Sequence, residues 1–126
     1  MRKFLVVVDE TPECAQAMRF AARRAQNTGG RVTMLYVIRP DEFQHWMGVA
    51  EVMRAEARES AERRLADLAE ELRALTGITP EFDIREGKPA EQVLECIEDD
   101  PDIGVLVLGA AESENPGPLV THLITR

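Results

Sequence analysis

Lys3-Phe4-Leu5-Val6-Val7-Val8-Asp9-Glu10-Thr11-Pro12-Glu13 decides how the rest of the chain is read. Phe4 to Val8 is a continuous apolar, β-rich run that ends at Asp9, so it predicts a strand. Thr11, Pro12 and Glu13 then supply a helix N-cap, a first-turn proline and a first-turn acid in that order. A strand therefore feeds directly into a helix.

The pattern repeats outward from there. Helix one is expected to run to about Asn27, with Ala15, Met18, Ala22 and Ala25 at spacings of three and four on a face that Cys14 and Ala21 extend. Such small side chains let a helix lie close on a sheet. Gly29-Gly30 stops it, and Arg31–Ile38 forms a second β-rich run terminated by Pro40. After an irregular stretch, Asp41–Gly48, containing Phe43, His45 and Trp46, a long helix is expected from about Val49 to Leu75. Ala61, Leu65, Leu68, Leu72 and Leu75 form its stripe, which reads as one face packed on a sheet; as a coiled-coil seam it covers only about two heptads. Glu59, Glu62, Arg63 and Arg64 read as its solvated face.

Thr76-Gly77 ends that helix, and Glu81–Arg85 alternates polar and apolar residues as an edge strand does. Gly87-Lys88-Pro89 opens a short helix with Ala90, Val93, Leu94 and Ile97 inward, which Asp99-Asp100-Pro101-Asp102 breaks. Ile103–Leu108, fully apolar apart from Gly104, reads as a central strand covered on both faces, and Pro118–Arg126 as the start of another helix with Leu119, Val120 and Leu123 facing in.

This alternation predicts a single α/β domain: a doubly wound parallel sheet with right-handed crossovers and helices on both faces. Ligand sites in such sheets lie at the carboxyl ends of the strands, where Asp9, Val37 and Gly109 fall, and Asp9 and Gly109 are expected to flank one crevice.

At 126 residues the chain suits one domain, and no apolar run approaches the roughly 20 residues that span a bilayer. Phe4–Val8 is too short for a signal peptide and meets Asp9 without a cleavage site, so a cytoplasmic protein is expected. A net charge of −8 opposes nonspecific attraction to nucleic acid or to anionic membranes. Cys14 and Cys96 stand apart from any Cys-x-x-Cys or nearby histidine, which argues against a metal site and a structural disulfide. Both read as semi-buried thiols, although Cys14, in the first turn of a helix, could have its thiolate favoured there.

With these elements placed, the chain resembles the universal stress protein family. Val6-Val7-Val8-Asp9-Glu10-Thr11 resembles its V-x-x-D-x-[ST] opening, and Met34-Leu35-Tyr36-Val37 its second strand. Gly87-Lys88-Pro89-Ala90, with Val93 and Ile97, resembles its G-x-P helix start, and Asp102–Gly109 its apolar strand closed by glycine. The resemblance implies an adenine-nucleotide site: Asp9 and the backbone near Val37 holding adenosine, with Thr11 beside them, and a G-x2-G-x9-G-[ST] loop holding the phosphates of ATP or AMP.

That loop is altered here, and Gly109 and Gly117 are its candidate remnants. Glu112 stands where the second glycine belongs, only seven residues separate Gly109 from Gly117, and Pro118 replaces the final Ser or Thr. Proline offers neither an N–H nor a hydroxyl, and a shorter loop has fewer amides to wrap a polyphosphate. A carboxylate ~6 Å from a phosphate at an effective dielectric of ~20 costs roughly 3 kcal/mol, about a hundredfold in affinity. No Lys or Arg between Gly104 and Thr125 offsets Glu112 and Glu114.

Asp9 suits turn chemistry at a helix start as well as ligand contact, and Gly109 and Gly117 suit plain turn geometry. Neither His45 nor His122 is placed beside a nucleophile, so no catalytic constellation is visible and no enzymatic activity is expected. A phosphate-accepting receiver domain, suggested by Asp9-Glu10, fails because its third-strand aspartate has no counterpart near Arg54–Arg58. The expected function is a stress-response or regulatory module with a degenerate nucleotide loop; the alternative is a genuine ATP or AMP binder with at most slow hydrolysis. The family's fold implies a last strand after the helix near Pro118, which this sequence does not reach. Val105–Leu108 is then expected to be covered by further residues or by a second copy in a homodimer.

Overall fold

The computed structural model describes residues 3–39 and 50–108. Strands and helices alternate through them as β1 (Lys3–Val8), α1 (Pro12–Thr28), β2 (Arg31–Ile38), α2 (Ala50–Thr76), β3 (Glu81–Glu86), α3 (Pro89–Asp99) and β4 (Ile103–Leu108). The four strands form one parallel sheet in the order β3-β2-β1-β4. The chain steps outward from β1 to β3 and then returns past its start to β4, so right-handed crossovers put α1 and α2 on one face and α3 on the other.

The two packed layers explain why β1 has no polar face. Phe4, Val6 and Val8 join Val32 and Met34 beneath α1 and α2, whereas Leu5 and Val7 join Leu35 beneath α3. Successive side chains point to opposite faces, and both faces are buried. On α1, Cys14, Ala17, Met18, Ala21, Ala22 and Ala25 are buried; Ala15 is only partly so. Gly29 closes the helix in the left-handed region at φ 70°, and Gly77 follows α2 at φ 77°, conformations that β-carbon-bearing residues avoid.

Ala61, Leu65, Leu68 and Leu72 of α2 are buried as expected, together with Ala69, but Leu75 is 43% exposed. The stripe is thus a sheet-packing face that ends one step early. On α3, Val93 and Cys96 are the buried residues, whereas Ala90, Leu94 and Ile97 are half-buried. β3 is an edge strand as its alternation predicts, with Phe82 exposed and Ile84 packed on the core.

β4 is expected as a central strand of the full sheet, and with an open side where no further strand follows it. Among the described residues its one strand neighbour is β1, so it lies at the edge, and β1 and β2 are the central strands. Val107 is its one buried residue; Val105 packs half-buried on the α1 and α2 side, and Ile103, Leu106 and Leu108 half-buried on the α3 side. Lys3 pairs with Ile103 and Phe4 with Val105, so the register skips Gly104.

Lys3 is 7% exposed and ties three elements together at the amino end of the sheet. Its ammonium donates to Asp100 Oδ2 at 2.6 Å and to Glu81 Oε2 at 3.0 Å. A buried ammonium is tolerable only with such partners.

The expected irregular stretch at 41–48, the helix from Pro118, and Gly109, Gly117, His45, Trp46 and His122 lie outside the described residues. Among the described residues, no helix is long and apolar enough to cross a membrane.

Candidate functional site

β1 ends at Val8, which pairs with Tyr36, so Asp9 and Val37 emerge side by side at the carboxyl end of the sheet. Leu108 pairs with Val7 on the other flank of β1, bringing the end of β4 to the same rim. The strand order changes direction at β1, and ligands of doubly wound sheets bind at that switch. Of the five candidate residues, Asp9, Thr11 and Val37 are thus gathered at one end, while Gly109 and Gly117 lie outside the described residues.

The carboxylate of Asp9 shapes the turn. Its Oδ1 accepts the Thr11 N–H at 2.8 Å and the Thr11 hydroxyl at 2.5 Å. Thr11 has the extended N-cap backbone expected from sequence, but its side chain makes no cap hydrogen bond to the helix. The hydroxyl is turned back to Asp9 instead. Turn chemistry is therefore realised, and it engages one carboxylate oxygen of an exposed side chain.

Two further side chains brace the turn. Arg64 of α2 donates through Nε to the Asp9 carbonyl and through Nη2 to the Thr11 carbonyl, both at 3.1 Å. Tyr36 of β2 donates its hydroxyl to Glu10 Oε1 at 2.8 Å. Burial, and then the Glu10 hydrogen bond and the charges of Glu10 and Asp9, push the Tyr36 phenol well above its usual range. Val37, half-buried, packs on the α3 side of the sheet.

Arg64 corrects the sequence reading, which placed it on a solvated face. It is half-buried and stands three residues after Ala61 and four before Leu68, on the flank of the buried stripe. That position was the available signal, because a long side chain there can reach over the sheet's end.

Cys14 is fully buried beside this turn, and burial raises its thiol above the ordinary value despite the nearby Asp9 backbone and Arg64. Burial thus runs against the alternative of a favoured thiolate at the helix start. Cys96, on the opposite face, donates to Asp83 Oδ2 at 3.6 Å. Burial and then the Asp83 charge push this thiol up to about 11.

Residues 1–120 match the sequence model of the universal stress protein family. Among solved structures, universal stress protein UspA from Lactobacillus plantarum is 22% identical, with a TM-score of 0.79 over 98% of this chain and 90% of that one. A universal stress protein family member from Burkholderia pseudomallei is 18% identical, with a TM-score of 0.79 over 98% of this chain and 87% of that one. A universal stress protein in complex with cAMP is 14% identical, with a TM-score of 0.61 over 83% of this chain and 69% of that one. At these identities the likenesses show the shared fold. No curated protein sequence matches the chain.

Proposed function

Since the chain belongs to the universal stress protein family, we propose that it is a cytoplasmic stress-response or regulatory module, dimeric and non-enzymatic, whose nucleotide site is degenerate. The observation that carries the nucleotide-site part of this reading is the state of Asp9. Among the described residues Thr11 engages one carboxylate oxygen, and the other is left to accept a hydrogen bond from a ribose or adenine donor beside Val37. The adenosine side of a nucleotide site is thereby supported. The phosphate side is opposed by Glu112, Glu114 and Pro118 in a loop with seven residues between its glycines. Dimerisation would cover β4, whose outer side has no strand neighbour among the described residues.

Calorimetry with ATP, ADP and AMP tests the proposal. Weak or absent ATP binding is expected, and Asp9→Ala should abolish any adenosine-type binding while leaving the fold largely intact. An ATP affinity of about 1 μM in physiological salt, some −8 kcal/mol of binding, would overturn it. Light scattering should give a dimer, and a stable monomer would contradict that part.

The second reading is an adenine-nucleotide binder with at most slow hydrolysis. The cAMP complex of a protein with the same fold favours it.

A further inference from the structure

We propose that Arg64 is the positioning residue of the Asp9 turn, so that the seating of α2 governs ligand capture at the end of β1. This rests on the reading of Asp9 as a ligand acceptor, but it concerns a residue on a different element. Asp9 and Thr11 form a local turn, yet a local turn at an exposed site is held only weakly against water. Arg64 adds two anchors from 53 and 55 residues away, one on each side of Glu10.

Both anchors go to carbonyls, so they fix the backbone and leave the carboxylate available. A planar guanidinium with two donors engaged holds a more defined geometry than a single flexible contact. Among the described residues no carboxylate forms an ion pair with Arg64, in contrast to Arg19, Arg54 and Arg85, which pair with Glu71, Glu86 and Asp83. Among the described residues, both of its hydrogen bonds go to the turn. Leu65 and Leu68, buried beside it on α2, hold its helix on the sheet.

The test compares the parent with Arg64→Gln and Arg64→Lys, with Arg63→Gln as an exposed neighbour control. Hydrogen exchange at the Thr11 amide reads the turn without any ligand, and calorimetry with adenosine reads its use. Arg64→Gln should speed Thr11 exchange and weaken adenosine binding, each by about tenfold, the equivalent of about one hydrogen bond. The amides of Leu65 and Leu68 should keep their protection, which separates the effect from unfolding. Arg64→Lys should recover part of both losses, because an ammonium still donates to the carbonyls.

Unchanged Thr11 exchange in Arg64→Gln would overturn the proposal, as would an adenosine affinity equal to the parent's. If the parent takes up no adenosine, the reading of Asp9 as a ligand acceptor fails instead. Thr11 exchange then decides the role of Arg64 by itself.

Discussion

Tyr36 carries the residue-scale account furthest, because it is the one tyrosine of the chain and can be titrated alone. Burial first, then its bond to Glu10 and the nearby acidic charges, hold its proton. Its absorbance titration should therefore show no tyrosinate until well above pH 10, the ordinary phenol range. Glu10→Gln should move the transition down while leaving a residual elevation from burial. A parent transition at the ordinary value would remove the brace between β2 and the turn. Because the folded state holds this proton more tightly, its contribution to stability is complete below about pH 10 and is lost as pH rises through the elevated value.

Asp9 and Thr11 were legible from sequence because a turn at a strand-to-helix junction is local chemistry. Arg64 and the Tyr36–Glu10 bond were not, since they join residues far apart in sequence and depend on how helices sit on the sheet.

At the scale of elements, strands and helices were legible almost throughout, since buried strands and helix starts carry short-range signals. Leu75 was misread. α2 has 27 residues, about 40 Å of helix, whereas the eight residues of β2 span about 26 Å. The helix must overhang the sheet, and Val52 and Leu75 near its two ends are exposed. Leu65→Ala should consequently cost about 2–5 kcal/mol and Leu75→Ala within about 0.5 kcal/mol, measured by urea denaturation. Equal costs would show that Leu75 is packed after all. For β4, an apolar sequence reports covered faces and carries no information about lateral neighbours.

The Lys3 lock adds a pH dependence to these elements. Its hydrogen bonds to Asp100 and then Glu81 raise the Lys3 ammonium's pKa, while the Lys3 bond lowers that of Asp100. The raised ammonium contributes stability below about pH 10, lost as pH rises through its folded value; the depressed carboxyl contributes above about pH 4, lost as pH falls through its own. Lys3→Met should therefore destabilise most near neutrality. The gap between parent and variant should narrow at pH 3 and at pH 11, and a constant gap across that range would assign the effect to packing.

At the scale of the whole molecule, the ends of β1, β2 and β4 share one rim of the sheet. β1 and β2 bring Asp9, Thr11 and Val37 to one rim that β4 also reaches at Leu108, and the sequence that follows carries Glu112, Glu114, Pro116 and Pro118. Sequence alone located the rim, and the fold added the Arg64 and Tyr36 contacts that brace the turn after β1. On the proposed reading, ligands with little or no phosphate charge would bind better than a triphosphate, because each phosphate removed lessens repulsion from Glu112 and Glu114.

The most direct measurement is calorimetric titration of ATP and adenosine, in physiological salt, into the parent and into Glu112→Gly combined with Pro118→Ser. The parent should bind ATP no better than adenosine, and the double substitution should strengthen ATP by about tenfold or more while leaving adenosine unchanged. Parent binding of ATP at about 1 μM, well above its affinity for adenosine, would contradict a degenerate phosphate site.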